Sequence, residues 1–167
     1  MKLLRTLDSL LVRIVGPLLV TIGLSVALML TAGIFSRAVL GTPVFGLEEV
    51  MLIAIMWFYM LGASLASRER SHLSADFVKV FSDNPKVWRA FSLTATVISL
   101  GVAIMFVVWS WDLFSFGWQR SQSTPVFSIP WWVSQSSLLV ASLLFVIYLV
   151  RDLIQELRGN DVTPGDP

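Results

Sequence analysis

The sequence contains no cysteine and a single histidine, and charged residues make up only 14% of its 167 residues. The absence of cysteine excludes disulfides, thiolate metal sites and cysteine nucleophiles. A soluble domain usually carries about 25% charged residues. The formal net charge of +1 is also too small to indicate a nucleic-acid partner. The chain therefore has few of the groups from which catalytic, cofactor or metal sites are built, and we predict none.

Apolar residues are abundant instead, at 56% of the chain, with a mean hydropathy of +0.78. A chain of this length has too little interior to bury so much apolar surface in a soluble core. Four windows without a charged residue are long enough to cross about 30 Å of hydrocarbon as helices. They are residues 14–36, 50–67, 90–111 and 131–150. The sequence predicts an all-α integral membrane protein with four transmembrane helices.

The first window also fits a cleaved signal peptide, because it follows a basic segment. Its apolar run is about twice the usual length of a signal-peptide core, and no clear small-x-small cleavage site follows it. We therefore expect this window to remain as a helix.

The positions of Lys and Arg predict the orientation of the chain, because these residues accumulate on the cytoplasmic side of a membrane. If each window crosses the membrane once, only Arg37 and Arg120 lie on one side of it. The other ten share the opposite side: Lys2, Arg5, Arg13, Arg68, Arg70, Lys79, Lys86, Arg89, Arg151 and Arg158. We expect both termini to be cytoplasmic.

Two short segments outside the windows have apolar residues at helical spacing opposite charged ones, at residues 2–12 and 72–83. Such interfacial helices lie flat at the headgroup boundary, or dock on protein instead, and both alternatives stay open. Residues 159–167 are polar and rich in Asp, Gly and Pro, which predicts a flexible cytoplasmic tail. Residues 1–158 then form a single four-helix membrane domain.

The windows themselves contain no Asp, Glu, Lys, Arg or His. Ionisable residues at membrane depth usually mark the route of a solute, proton or ion, so their absence favours an accessory role. A self-sufficient small four-helix transporter of the multidrug type is the alternative, but it needs an embedded carboxylate, and Glu48 and Glu49 lie near the membrane edge. A membrane enzyme or quinone-linked redox protein is a third class, disfavoured by the absence of cysteine and of histidine at depth.

The second window and its ends hold most of the candidate residues. Glu48 and Glu49 suit the positive end of a helix dipole, or a contact with a partner. Gly62 and Ala66 form a small-xxx-small pair, which favours close helix packing within the chain or with another membrane protein. Arg68 suits the negative helix end and lipid phosphates.

The same region carries a family resemblance. Its residues are Leu47-Glu48-Glu49, Met56-Trp57, Leu61-Gly62-Ala63, Ala66, Arg68, His72-Leu73 and Asp76. Together with residues 123–131, which lead into the fourth window, they resemble the DctQ-type small membrane subunit of tripartite ATP-independent periplasmic (TRAP) transporters. The chain departs from that pattern at residues 135–137, where Gln-Ser-Ser replaces the expected Tyr and Pro.

The resemblance implies a bacterial inner-membrane protein that supports a large membrane subunit carrying the substrate and sodium sites. A periplasmic substrate-binding protein would deliver the solute, typically an organic acid, and lipids would surround the helices. The motif residues then become candidates for partner contact or scaffold geometry: Glu48, Glu49, Trp57, Gly62, Ala66, Arg68, His72 and Asp76.

Overall fold

The computed structural model describes residues 2–69 and 85–157, and within them it contains four long α-helices. They are α1 (Lys2–Phe35), α2 (Leu47–Glu69), α3 (Pro85–Arg120) and α4 (Trp132–Leu157). A π-helical turn, Ser36–Leu40, extends α1. Each helix includes a stretch long and apolar enough to cross a membrane. The prediction of an all-helical chain with four such helices is confirmed.

The helix boundaries differ from the predicted windows at several points. Residues 2–12, the first predicted interfacial segment, continue without a break into α1. Helix α3 runs nine residues beyond Trp111, because Asp112 does not end it; the chain leaves the helix at Ser121, which has a φ of 47°. The predicted helix at 72–83 and the tail at 159–167 lie outside the described residues.

The helices pack in an open series rather than a closed ring. Helix α2 lies between α1 and α4, and α4 lies between α2 and α3. Within the described residues, α2 and α3 make no comparable packing contact with each other. We call the end of the molecule with the α1–α2 and α3–α4 connections the outer end, and the opposite end, where α2 and α4 finish, the inner end. Helix α4 is therefore central.

Small side chains form much of the helix interfaces. Among the described residues, four serines are almost fully buried: Ser64, Ser110, Ser137 and Ser142. Three of these hydroxyls donate to the carbonyl three residues earlier in their own helix, at 2.7–2.9 Å. In hydrocarbon, small residues let helix backbones approach closely, and polar groups are satisfied within the protein. Serine suits such an interior because its hydroxyl can bond within its own helix, although the buried Ser110 hydroxyl has no hydrogen-bond partner among the described residues.

One cluster of larger side chains joins three helices. Val15 of α1, Leu61 of α2 and Leu144 and Tyr148 of α4 are all buried, with Leu19 and Trp57 packed beside them. Most other large apolar side chains of the described residues point outward, for example Leu24, Val102 and Trp109. This distribution fits a chain whose solvent is lipid.

Candidate functional site

The outer end of α2 is linked to α1 by an ion pair. Arg37, in the π-helical turn, donates to the carboxylate of Glu48 in the first turn of α2. Both side chains are exposed, so the pair contributes little stability and mainly sets the direction of the short connection between the helices. The Ser36 hydroxyl donates to the Thr42 carbonyl at 2.7 Å and fixes the exit from the π-helical turn.

Helix α2 begins at a glycine that also supports the neighbouring loop. Gly46 has a φ of 79°, and its carbonyl accepts the amides of Glu49 and Val50, the first hydrogen bonds of the helix. A Cβ at this position would lie 2.1 Å from the ring of Phe127. The backbone conformation favours glycine here, and any larger residue would also have to displace the exposed ring of Phe127.

Glu49 links α2 to the connection between α3 and α4. One carboxylate oxygen accepts the amide of Val126 at 2.7 Å, and the other accepts the amide of Phe127 at 3.0 Å. Hydrogen bonds to an ionised acceptor are among the stronger ones in proteins. Glu49 thus uses both oxygens to hold a loop that is distant in sequence.

The loop that Glu49 holds, residues 121–131, has its own internal order. Thr124 is buried; its amide donates to the Ile129 carbonyl at 2.9 Å, and its hydroxyl accepts the Ile129 amide at 3.0 Å. The Trp131 amide donates to the Gln122 carbonyl at 2.9 Å. These bonds form a compact turn that presents the amides of Val126 and Phe127 to Glu49. We call Glu49 and residues 121–131 together the outer latch.

Trp57 links α2 directly to α4. Its indole N–H donates to the carbonyl of Val133 at 3.1 Å. Val133 lies in the first turn of α4, so this motif residue has its polar partner within the chain. A buried indole N–H usually has such a partner.

The remaining candidates lie farther along α2. A Cβ at Gly62 would be 3.9 Å from Leu19, so this glycine borders α1. Ala66 is exposed and lines a groove between α2 and α3. Arg68 lies in the last turn of α2, and its side chain is outside the described residues, as are all of His72 and Asp76.

A second set of polar contacts, at the inner end, was not predicted from the sequence. One Glu156 carboxylate oxygen accepts the hydroxyls of Ser92 at 2.6 Å and Thr96 at 3.1 Å. Arg89 donates to the carbonyls of Glu156 and Leu157. These contacts join α3 to α4. The available signal was the pair of hydroxyl residues at i and i+4 in the third window, which place two donors on one helix face.

The described residues contain no group of three or more His, Cys, Asp or Glu side chains placed to hold a metal ion. The polar contacts of Glu49 and Glu156 lie near the ends of the helices, and that of Trp57 with Val133 lies along α2 between them. The arrangement can fix helices relative to one another.

Four long apolar helices, joined by polar contacts at their ends, define a multi-pass membrane protein. A family model described as "Tripartite ATP-independent periplasmic transporters, DctQ component" matches residues 26–159, most of the chain. The chain belongs to this family, and it is the small membrane subunit of a TRAP transporter. The comparison with curated proteins finds no match. Family membership makes the chain a component of a transporter.

Proposed function

We propose that this chain is a scaffold subunit that supports a large permease subunit during sodium-coupled uptake of an organic acid. A periplasmic binding protein delivers the acid, and the complex resides in a bacterial inner membrane with both termini of this chain in the cytoplasm. The family supplies the transport context. The contacts within this chain support the scaffold role.

The observation that carries the proposal is the double hydrogen bond of Glu49 to the amides of Val126 and Phe127. A scaffold has to hold its helices in fixed positions while another element moves. The outer latch fixes the first turn of α2 to the loop between α3 and α4. The hydrogen bond from Trp57 to Val133 fixes α2 to α4 farther along the helix. Both residues belong to the motif that resembles the family, so the motif serves scaffold geometry.

The same contacts disfavour a self-sufficient proton-coupled exporter. Such a protein needs a carboxylate that is available to cargo and protons at membrane depth. Both oxygens of Glu49 accept loop amides, and Glu48 is paired with Arg37. Glu49 is engaged by the loop, and Glu48 is an exposed acid at the outer end of α2 rather than a carboxylate at membrane depth. Binding of the organic acid and of sodium therefore belongs to the large subunit.

We assign Gly62, Ala66 and Arg68 to contacts along the inner part of α2. Gly62 borders Leu19 of α1 at ordinary packing distance, and Ala66 faces the groove. Arg68 suits lipid phosphates at the cytoplasmic surface. His72 and Asp76 are proposed as contacts to the large subunit, because the resemblance includes them.

Deletion of this chain from cells that retain the large subunit and the binding protein tests the proposal. We expect sodium-dependent uptake of labelled organic acids to be lost and to return when the chain is supplied in trans. Co-purification of the chain with the large subunit is expected alongside. Unchanged uptake in the deletion strain, or translocation of an organic acid by the isolated chain in liposomes, would contradict the proposal.

A further inference from the structure

The contacts between α3 and α4 determine the depth of Asp112 in the membrane. The two helices run antiparallel from the loop that connects them, and three contacts share one register: Thr96 with Glu156, Phe106 with Phe145, and Gly117 with Gln135. Asp112 lies five residues before Gly117. Five residues after Gln135 is Val140, so Asp112 and Val140 are level. Val140 lies in the middle of the charge-free window of α4.

The other two helices place the same level near mid-membrane. Gly23 of α1 lies against Phe58 of α2, so the middles of their two windows are side by side. Leu61, three residues farther along α2, packs in one cluster with Leu144 in the window of α4. The windows of α1, α2 and α4 therefore share one layer. Asp112 lies near the middle of that layer, although in sequence it follows the predicted window of α3.

A different placement of the membrane encloses more charge. With Asp112 at the outer boundary, about 30 Å of hydrocarbon would extend for about 20 residues toward the inner end. That layer would contain Arg13, Arg151 and Asp152, and it would leave the largely apolar residues 47–57 of α2 outside. Among the described residues, the layer shared by the other three windows has only Asp112 well inside it.

Asp112 points away from the rest of the chain. The side of α3 that faces α4 carries Ala103, Ser110 and Gly117, which are buried. Asp112 follows Ser110 by two residues, about 200° around the helix. Within the described residues, α3 packs closely on α4 alone. The opposite side is exposed, and we call it the back face of α3; it consists of Met105, Val108, Trp109, Asp112 and Phe116.

The Asp112 carboxylate does not reach the outer headgroups. Asp112 lies eight residues, about 12 Å, before Arg120 at the end of α3. The Cα–Cβ bonds of a helix tilt toward its N-terminus, which for α3 is the inner end, so this short side chain points deeper. Arg120 lies over the ring of Phe116 instead. Within the described residues, no hydrogen bond or ion pair reaches the carboxylate.

An ionisable residue inside a membrane segment almost always faces the interior of a helix bundle and is paired there. Because Asp112 faces away from the interior of this chain, its partner belongs to another protein. We propose that the back face of α3 binds a transmembrane helix of the large permease subunit, which presents a Lys, Arg or His to Asp112. The proposal rests on the proposed function, since it names the surface that meets that subunit.

A second copy of this chain does not fit the back face. A symmetric dimer would place the same residues on both sides of the contact. Its two Asp112 carboxylates would then face a surface that carries no cation. Lipid does not fit either, because hydrocarbon offers a carboxylate no donor.

Photo-crosslinking in the assembled complex tests the occupant. Phe116 lies one turn from Asp112, and benzoylphenylalanine resembles it in shape. We expect an adduct from this position with the large subunit, at a segment that contains a Lys, Arg or His, and no such adduct in cells that lack that subunit. Adducts only with lipid or with a second copy of this chain, or a captured segment without a Lys, Arg or His, would overturn the proposal.

Two conservative variants test the charge. Asp112→Asn keeps the size and removes the charge, whereas Asp112→Glu keeps the charge. We expect Asp112→Asn to lower the yield of co-purified large subunit by about tenfold or more, and Asp112→Glu to keep most of it. The isolated Asp112→Asn chain should unfold in detergent at the same temperature as the unmodified chain, because the side chain is exposed there. Equal yields from the two variants would contradict the role of the charge.

The same experiments separate this inference from the proposed function. Failure of the unmodified chain to co-purify would contradict the proposed function itself. Full association of Asp112→Asn, together with adducts only to lipid, would contradict the back-face contact alone. Proton-coupled export by the isolated chain in liposomes that is lost in Asp112→Asn would contradict both, because Asp112 would then serve a self-sufficient transporter.

Discussion

The carboxylate of Glu49, in the first turn of α2, accepts the backbone amide of Phe127 across 78 positions of sequence, and the ring of Phe127 lies against Gly46 just before the same helix. The two residues hold the α1–α2 and α3–α4 connections together. Because the ends of three helices meet there, the outer latch sets their relative positions.

Removal of the Glu49 carboxylate is expected to release the loop at residues 121–131. Glu49→Ala deprives the amides of Val126 and Phe127 of their acceptor, so limited proteolysis within the loop should become roughly tenfold faster. Glu48→Ala removes a neighbouring acid whose side chain, among the described residues, pairs with exposed Arg37, and it serves as the control. Equal cleavage rates for the two variants would refute the role of the latch.

Substitution of Gly46 separates backbone strain from contact with Phe127. Gly41→Ala places a side chain at a φ of 67° with open space around it, so it costs about 1–2 kcal/mol from conformation alone. Gly46→Ala should lower the thermal unfolding temperature further, because its Cβ meets the Phe127 ring. The added change Phe127→Ala should restore part of the loss. Additive effects of the two substitutions would show that no contact is shared.

Trp57→Phe keeps most of the aromatic surface and removes the N–H that donates to Val133. We expect a loss of about 0.5–1.5 kcal/mol in unfolding free energy, measured by thermal or denaturant unfolding in detergent. Trp109→Phe provides the matched control, since Trp109 is 62% exposed. A similar change in both variants would mean that the hydrogen bond to α4 contributes nothing.

Substitutions of Ser137 test whether the helix interfaces require small side chains. Its side chain is fully buried, and its hydroxyl donates to the Ser134 carbonyl of its own helix at 2.7 Å. Ser137→Ala should be nearly neutral, because no other helix depends on the hydroxyl. Ser137→Leu should cost about 1–3 kcal/mol or more by overpacking. Val140→Leu, on a more exposed face of α4, should be tolerated, and unfolding in detergent distinguishes the three.

The four helices could be predicted from the sequence because hydrocarbon imposes one simple condition: about 20 residues without charge. The ends of the helices were harder to predict. Asp112 marked the end of an apolar window, yet a single acid does not break a helix, so α3 continues to Arg120. A charge-free window indicates which residues can lie in hydrocarbon, but it does not indicate where the helix itself ends.

The candidate residues at the outer end were recognisable, but their partners were not. Glu49 and Trp57 bind backbone atoms of Val126, Phe127 and Val133. Any residue type carries those atoms, so no side-chain pattern points to them. Glu156 was missed for a different reason, because it lies beyond the fourth window and looked like an ordinary cytoplasmic charge.

The open series of helices has a consequence for the order of assembly. In a closed ring, a new helix enters only after an existing contact is broken. Within the described residues, each helix already packs on a neighbour, and α2 and α3 do not pack closely on each other. A helix that enters beside α2 and α3 from another membrane protein therefore displaces no close packing between these two helices.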